Sequence, residues 1–85
     1  MSVLNEVAVE RAKQDAKWGE QNHVPPKWLV ILGEEFGEAC RGNLENDLAQ
    51  YRKELIEVAA VACAAVESLD RNQGRSELLR MLEDE

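Results

Sequence analysis

The chain has 85 residues and a mass of 9.6 kDa, so it forms one domain, 1–85, with no room for a second core. Its 17 acidic residues against 10 lysines and arginines give a net charge of -7, which disfavours nucleic acid and anionic membranes as partners. No apolar run approaches the roughly 20 residues that cross a bilayer, and the first residues do not resemble a signal peptide, which predicts a cytoplasmic protein.

The apolar residues recur at helical rather than strand spacing, which predicts an all-α fold. The first helix is predicted over about 3–17, stops near Gly19 and is followed by a polar loop, 19–24. One face of this helix is predicted to carry Leu4, Val7, Ala8, Arg11 and Asp15. Pro26 fits the first turn of a second helix that ends near 42–43. The apolar stripe of this helix consists of Trp28, Leu29, Leu32, Phe36, Ala39 and Cys40.

A third helix is predicted to begin at a cap formed by Asn46 or Asp47 and to run past residue 69. Its middle, 59–65, is small and apolar on every side, so we expect this segment to complete its burial against a second subunit. A break at 72–74 is predicted to separate a short fourth helix, about 75–82. The apolar stripe of the third helix consists of Leu48, Tyr51, Leu55, Val58, Ala62, Val66 and Leu69.

The two cysteines, Cys40 and Cys63, lie among alanine, glutamate and valine rather than in a CxxC or Cys/His cluster. Isolated cysteines in such surroundings behave as small hydrophobic residues. We therefore expect both thiols to be reduced and buried, and neither to bind metal.

Acidic residues on the second and third helices interrupt faces that are otherwise apolar. Glu34, Glu35 and Glu38 lie within one helical turn, and Glu54 and Glu57 share a face of the third helix. Burying a carboxylate without a partner costs on the order of several kcal/mol. A divalent hard cation such as Mg²⁺ or Mn²⁺, held between the two helices, offsets that cost. The alternative is a solvated acidic face paired with neighbouring lysines and arginines.

These residues also form a recognisable pattern. The segment Glu34-Glu35-Phe36-Gly37-Glu38, followed after fifteen residues by Glu54-Leu55-Ile56-Glu57, resembles the EExxE…ExxD signature of MazG-like, all-α nucleoside triphosphate pyrophosphohydrolases. The upstream segment 10–19, with its ERxxQ…WG pattern, resembles the short, single-domain branch known from mobile gene cassettes and phage. The resemblance covers about residues 6–69.

The resemblance implies a four-helix-bundle-like protomer that assembles as a homodimer or homotetramer. It also implies Mg²⁺-dependent hydrolysis of an NTP or dNTP to the monophosphate and pyrophosphate, usually as house-cleaning of the nucleotide pool. It places metal ligands at Glu35, Glu38, Glu54 and Glu57, with Glu34 binding a second ion or orienting water. In the mechanism, Glu34 is then the candidate that orients or deprotonates the attacking water. The family's last acid is usually Asp, and the extra methylene of Glu57 displaces its carboxylate by roughly 1 Å from the octahedral geometry that Mg²⁺ demands.

Candidate substrate-binding residues surround the loop after the first helix. Trp18 and Trp28 flank this loop, which contains His23, and aromatic faces beside an imidazole suit the stacking and edge recognition of a nucleobase. The alternative is that both indoles are packing anchors. Lysine or arginine must hold the outer phosphates, and the candidates are Lys17, Lys53, Arg71 and Arg75.

Two other interpretations are open. The chain could be a dUTPase or phosphoribosyl-ATP pyrophosphohydrolase relative, with the same chemistry on another substrate. It could also be a non-catalytic helical dimerisation module that keeps the bundle without the activity. A metal-dependent rise in melting temperature separates the enzyme from the module, because a cation that binds the folded state stabilises it by mass action.

Overall fold

The computed structural model describes residues 1–83, without the side chains at 74–76 and 78, and within this part the chain is helical with no strand. Helix α1 spans Val3–Trp18, α2 spans Pro25–Leu44 and α3 spans Leu48–Glu83. The predicted all-α class is therefore confirmed. No helix of the described part combines the length and apolar character that crossing a membrane requires.

Helix α1 begins and ends as its sequence predicts. The Ser2 side chain caps it by accepting a 3.1 Å hydrogen bond from the backbone N–H of Asn5. At the other end Gly19 takes a φ of 72° and donates its N–H to the Asp15 carbonyl at 2.8 Å. Glycine adopts this left-handed backbone without the steric cost that a Cβ brings, so the chain turns away from the helix there.

The turn between α2 and α3 distinguishes the two predicted caps. Asp47 performs the capping, since its Oδ1 accepts a 3.0 Å hydrogen bond from the backbone N–H of Gln50. Asn46 instead supplies the turn itself, with a φ of 58° that asparagine tolerates better than most residues. These two residues together reverse the chain and make α2 and α3 an antiparallel hairpin.

The predicted break at 72–74 does not occur. Helix α3 continues through it as one helix of 36 residues, so the segment predicted as a separate fourth helix is the C-terminal end of α3. A single glycine inside a helix costs about 1 kcal/mol relative to alanine, which is too little to stop a helix when no proline follows. The arginine, glutamate and leucine residues that come next are good helix formers.

Helix α3 is the central element, and α1 and α2 each pack along it. The core is small: the buried side chains of Trp28, Val61 and Ala64 form its centre, with Ile31 and Leu32 packed around them.

Helix α1 packs on α3 through both apolar and polar contacts. Val7 is buried, whereas Leu4, predicted to lie on the same face, is 80% exposed. Two ion pairs join α1 to α3, Arg52 to Glu6 at 2.6 Å and Arg11 to Glu67 at 3.0 Å. Exposed ion pairs stabilise a protein by about 1 kcal/mol or less each.

Much of the predicted apolar stripe of α2 and α3 lies outside this core. On α2, Phe36 is 58% exposed and Leu29 is 67% exposed, and on α3 Val66 is 57% exposed. The buried line along α3 runs on another side of the helix, through Glu54, Ala60, Val61, Ala64 and Ser68. We call the uncovered stripes the open apolar face, which consists of Leu29, Phe36, Cys40, Leu44, Tyr51, Leu55, Val66 and Leu69.

The expectation of buried cysteines is wrong for the single chain. Cys40 and Cys63 are free thiols, as predicted, but both are exposed. The exposed apolar stripes and the exposed thiols have one cause. A chain of this length has too few elements to surround α2 and α3 on every side.

Replacing Gly42 by alanine is expected to lower the free energy of unfolding by about 1–3 kcal/mol. A Cβ at Gly42 would lie 2.9 Å from the backbone nitrogen of Tyr51 and 3.2 Å from its Cα, so α2 and α3 would have to separate. The matched control is Gly37→Ala, whose added methyl group meets no heavy atom of the described residues within 4 Å. This control should stabilise the helix by up to about 1 kcal/mol. Urea unfolding followed by circular dichroism compares the two, and equal effects would contradict the close approach at Gly42.

Candidate metal centre

Four glutamates converge where α2 and α3 face each other. Glu35 and Glu38 come from α2, Glu54 and Glu57 from α3, and one carboxylate oxygen of each lies within 4.8 Å of the others. The i, i+3 spacing places each pair on one face of its helix, and the hairpin brings the two faces together. The structure thus assembles the four residues expected as metal ligands. Glu34 is exposed and lies outside this cluster.

The cluster is partly inaccessible to water. Glu54 is 2% exposed, Glu35 and Glu57 are half-buried, and Glu38 is exposed. Oε2 of Glu54 and Oε2 of Glu35 are buried and accept no hydrogen bond from the described residues, and we call these two atoms the orphan oxygens. A buried carboxylate oxygen without a partner is costly, so protons or a cation must compensate for the charge.

Burial and mutual repulsion raise the affinity of the cluster for protons. Burial first, and then the nearby carboxyl groups of Glu57, Glu35 and Glu38, raise the pKa of Glu54 to about 8. Burial, followed by Glu57, also raises the pKa of Glu35. Like charges at this separation cannot all ionise without a counter-charge. Glu54 therefore keeps a proton near neutral pH, and Glu35 keeps one to higher pH than an ordinary glutamate, unless a cation replaces it.

Basic side chains do not supply that counter-charge. Within the described part of the chain, each ion pair joins acids outside the cluster: Arg11 to Asp15 and Glu67, Arg52 to Glu6, and Arg71 to Glu20. The ion-paired helix face, which was the alternative to a metal site, is therefore not what the structure shows.

The donor set fits a hard divalent cation. Carboxylate oxygens are the preferred ligands of Mg²⁺ and Mn²⁺. Ligand oxygens on opposite sides of an octahedral Mg²⁺ lie about 4.2 Å apart, twice the metal–oxygen distance of about 2.1 Å. The oxygens of Glu35, Glu38, Glu54 and Glu57, within 4.8 Å of one another, need only small side-chain movements to surround one ion.

A small cavity of about 130 Å³ adjoins the cluster, between α1 and the hairpin. Two cluster glutamates, both tryptophans and two glutamines line it: Glu35, Glu57, Trp18, Trp28, Gln14 and Gln21. Trp28 is buried and its indole N–H finds no acceptor among the described residues, whereas Trp18 is 55% exposed with the Lys17 ammonium 4.7 Å from its ring centre. Both indoles thus line a cavity that adjoins the cluster.

His23 and Lys53 lie elsewhere. The imidazole of His23 packs edge-on against the Trp28 ring at 5.0 Å and lines the larger apolar hollow beside the open apolar face. Lys53 lines a groove between α1 and α3, together with Lys13 and Arg52. Neither of these two cavities is lined by a glutamate of the cluster.

Arg71, one of the predicted phosphate-binding candidates, holds the α1–α2 loop in place. Its Nε donates to Asn22 Oδ1 and its guanidinium donates to the Gln21 carbonyl, both at 3.0 Å. Ser68 Oγ donates to the His23 carbonyl at 3.4 Å and holds the same loop. Since Gln21 lines the small cavity, these contacts position one wall of it. Arg75, another candidate, lies outside the described side chains.

Comparisons of the chain with protein-family models, curated proteins and solved structures find no match. The four converging glutamates, the orphan oxygens and the adjoining cavity are therefore the features from which a function can be inferred. Gln14 and Gln21 were not among the candidates from the sequence. Gln14 has a local signal, because it lies seven residues after buried Val7 and so on the inner face of α1, whereas Gln21 has none.

Proposed function

We propose that the protein is a Mg²⁺-dependent nucleoside triphosphate pyrophosphohydrolase, which cleaves an NTP or dNTP to the monophosphate and pyrophosphate. The observation that carries the proposal is the partly buried cluster of Glu35, Glu38, Glu54 and Glu57, with its orphan oxygens, beside a cavity lined by two indoles. Such a cluster repels a free triphosphate and attracts one that arrives with a divalent cation.

The four glutamates would hold the cation, and Mn²⁺ is the expected substitute for Mg²⁺. When bound, the ion would neutralise charge on the phosphates and lower the pKa of a coordinated water. In the reaction, the water oxygen forms a bond to the α-phosphorus while the bond from that phosphorus to the bridging oxygen breaks. The water proton passes to a carboxylate, for which Glu34 is the candidate by resemblance, and the electron pair leaves with pyrophosphate.

The small cavity is the proposed site of the base. Its size of about 130 Å³ suits a single planar ring system, and Trp18 and Trp28 offer aromatic faces for stacking. The amides of Gln14 and Gln21 can both donate and accept hydrogen bonds at the edge of that ring. His23 and Lys53 line other cavities and take no part in this proposal.

A hydrolysis assay with a panel of NTPs and dNTPs in Mg²⁺ tests the function. In ¹⁸O-labelled water, attack at the α-phosphorus places the label in the monophosphate, whereas attack at the β-phosphorus places it in pyrophosphate. We expect labelled monophosphate and unlabelled pyrophosphate. Diphosphate and orthophosphate as products, or no hydrolysis of any nucleotide by metal-loaded protein, would contradict the proposal.

We also propose that a second copy of the chain covers the open apolar face. A row of large apolar side chains along both α2 and α3 is exposed in one chain, and contiguous apolar surface of this kind marks interaction sites. A two-fold axis lets the same face cover itself, and small domains gain the missing part of their core in this way. This dimer, or a tetramer built from it, is the expected assembly.

Phe36→Asp is expected to convert the assembly to a monomer. Phe36 is central in the open apolar face, and a desolvated, unpaired carboxylate there should weaken self-association by more than about 100-fold. Leu4→Asp is the matched control, because Leu4 is 80% exposed on α1, outside that face. Sedimentation equilibrium at micromolar concentration measures both. A wild-type chain that sediments as a monomer would rule out the dimer.

A further inference from the structure

Gln50 contacts the deepest residue of the metal centre. Its Nε2 donates a 2.6 Å hydrogen bond to Oε1 of Glu54, one helical turn further along α3. The backbone N–H of Gln50 donates in turn to the capping side chain of Asp47 at 3.0 Å. The helix cap therefore fixes the backbone of Gln50, whose side chain is half-buried.

The two carboxylate oxygens of Glu54 have different surroundings. Oε1 accepts from Gln50, while Oε2 is one of the orphan oxygens. Because Glu54 is 2% exposed, water is not an alternative partner that would let the carboxylate rotate between several orientations. The hydrogen bond from Gln50 thus restrains Glu54 through Oε1 and leaves Oε2 without a hydrogen bond from the described residues.

A neutral donor suits this position. Lysine or arginine could hold Oε1 equally well, but its charge would neutralise the cluster and repel a cation a few ångströms away. An amide orients a carboxylate without adding charge, which keeps the full negative charge of Glu54 for the ion.

We propose that Gln50 is a positioning residue of the metal centre, which holds Glu54 in the orientation that binds the cation. The inference rests on the proposed function only in requiring that the cluster bind a divalent ion. It does not depend on which nucleotide, if any, is the substrate.

Gln50→Met tests the inference, since methionine keeps the length and helix propensity of glutamine and removes the amide. Mn²⁺ alone, without nucleotide, is titrated into the full chain, and free Mn²⁺ is followed by electron paramagnetic resonance. We expect Gln50→Met to weaken Mn²⁺ binding about 10–100-fold, the usual effect of losing a hydrogen bond to a metal ligand. The matched control is Gln73→Met, an exposed glutamine on the same helix, which should bind Mn²⁺ as the wild type does.

A second measurement separates positioning from general stability. A merely structural role for Gln50 would lower the melting temperature equally with and without Mn²⁺, whereas a positioning role reduces the increment that Mn²⁺ adds. Gln50→Lys, which keeps a donor but adds a positive charge, should bind Mn²⁺ more weakly than Gln50→Met. Mn²⁺ affinity within twofold of wild type in Gln50→Met would overturn the inference and leave the metal centre intact. Absence of Mn²⁺ binding by the wild type would overturn both.

Discussion

Glu54→Gln is expected to abolish Mg²⁺ binding and nucleotide hydrolysis while making the metal-free protein more stable at alkaline pH. Glutamine has the shape of glutamate but no charge, so it removes the repulsion and the burial cost that raise the pKa of Glu54 to about 8. The same change removes the most deeply buried carboxylate of the proposed metal centre. Since losing one hydrogen bond around a metal site costs about 10–100-fold in affinity, losing a ligand should cost more than about 100-fold.

The comparison with Glu38→Gln sharpens this prediction. Glu38 belongs to the same cluster but is exposed, so replacing it relieves no burial. Glu38→Gln should abolish turnover because it removes a proposed ligand. It should leave the circular dichroism nearly unchanged and, since Glu38 is exposed, it should not increase the stability of the metal-free protein. Mn²⁺ titration, hydrolysis assays and urea unfolding in chelator at pH 9 measure the three effects, with exposed Glu77→Gln as the control. Retained activity in either cluster variant would remove that residue from the ligand set.

The stability of the metal-free protein is expected to fall as the pH rises from about 5 to about 8. Glu54 has a pKa of about 8 in the folded chain and an ordinary value of 4.5 when unfolded, so between these values the folded chain binds a proton that the unfolded chain has released. Each pH unit in this window lowers the free energy of unfolding by up to about 1.4 kcal/mol. The raised pKa of Glu35 acts in the same direction.

A bound cation should cancel this loss of stability, because it takes the place of the protons. At about 100 times its dissociation constant, a ligand that binds the folded state adds about 2.7 kcal/mol. We therefore expect the Mg²⁺-dependent increment in melting temperature to grow from pH 6 to pH 9. Thermal unfolding in chelator and in excess Mg²⁺, with KCl at matched ionic strength as the control, measures both trends. Stability in chelator that is flat or rising between pH 6 and pH 8 would contradict the proposed protonation of the cluster. Indifference to Mg²⁺ would favour the non-catalytic dimerisation module.

The helix ends around the first two loops and the pairing of glutamates on each helix could be predicted from local spacing, whereas the choice of four metal ligands among five glutamates came from the family resemblance. Gly19 ends α1 and Asp47 caps α3 because these effects act over three or four residues. The pairs Glu35 with Glu38 and Glu54 with Glu57 share a helix face for the same reason. The continuity of α3 through 72–74 was missed because a glycine weakens a helix by an amount that neighbouring residues easily offset.

The division of apolar residues between core and open face could not be predicted in this way. Leu29 and Trp28 are neighbours on one stripe, yet Trp28 is 5% exposed and Leu29 is 67% exposed. The periodicity shows that a face is apolar, but which element covers it depends on how the helices are arranged. His23 and Lys53, placed near the substrate from their positions along the chain, lie in other cavities for the same reason.

The sequence by itself determined that the chain is helical, and that Glu35 and Glu38, and likewise Glu54 and Glu57, share a face of their own helix, since both follow from helical spacing. Only the tertiary structure decided that Glu54 is the buried member, that Gln50 holds one of its oxygens and that the other is an orphan oxygen. The net charge of -7 does not show this distinction, because composition counts every acid equally. The free energy of ionising a carboxylate depends instead on the residues that pack around it, and packing between α2 and α3 is decided by the fold.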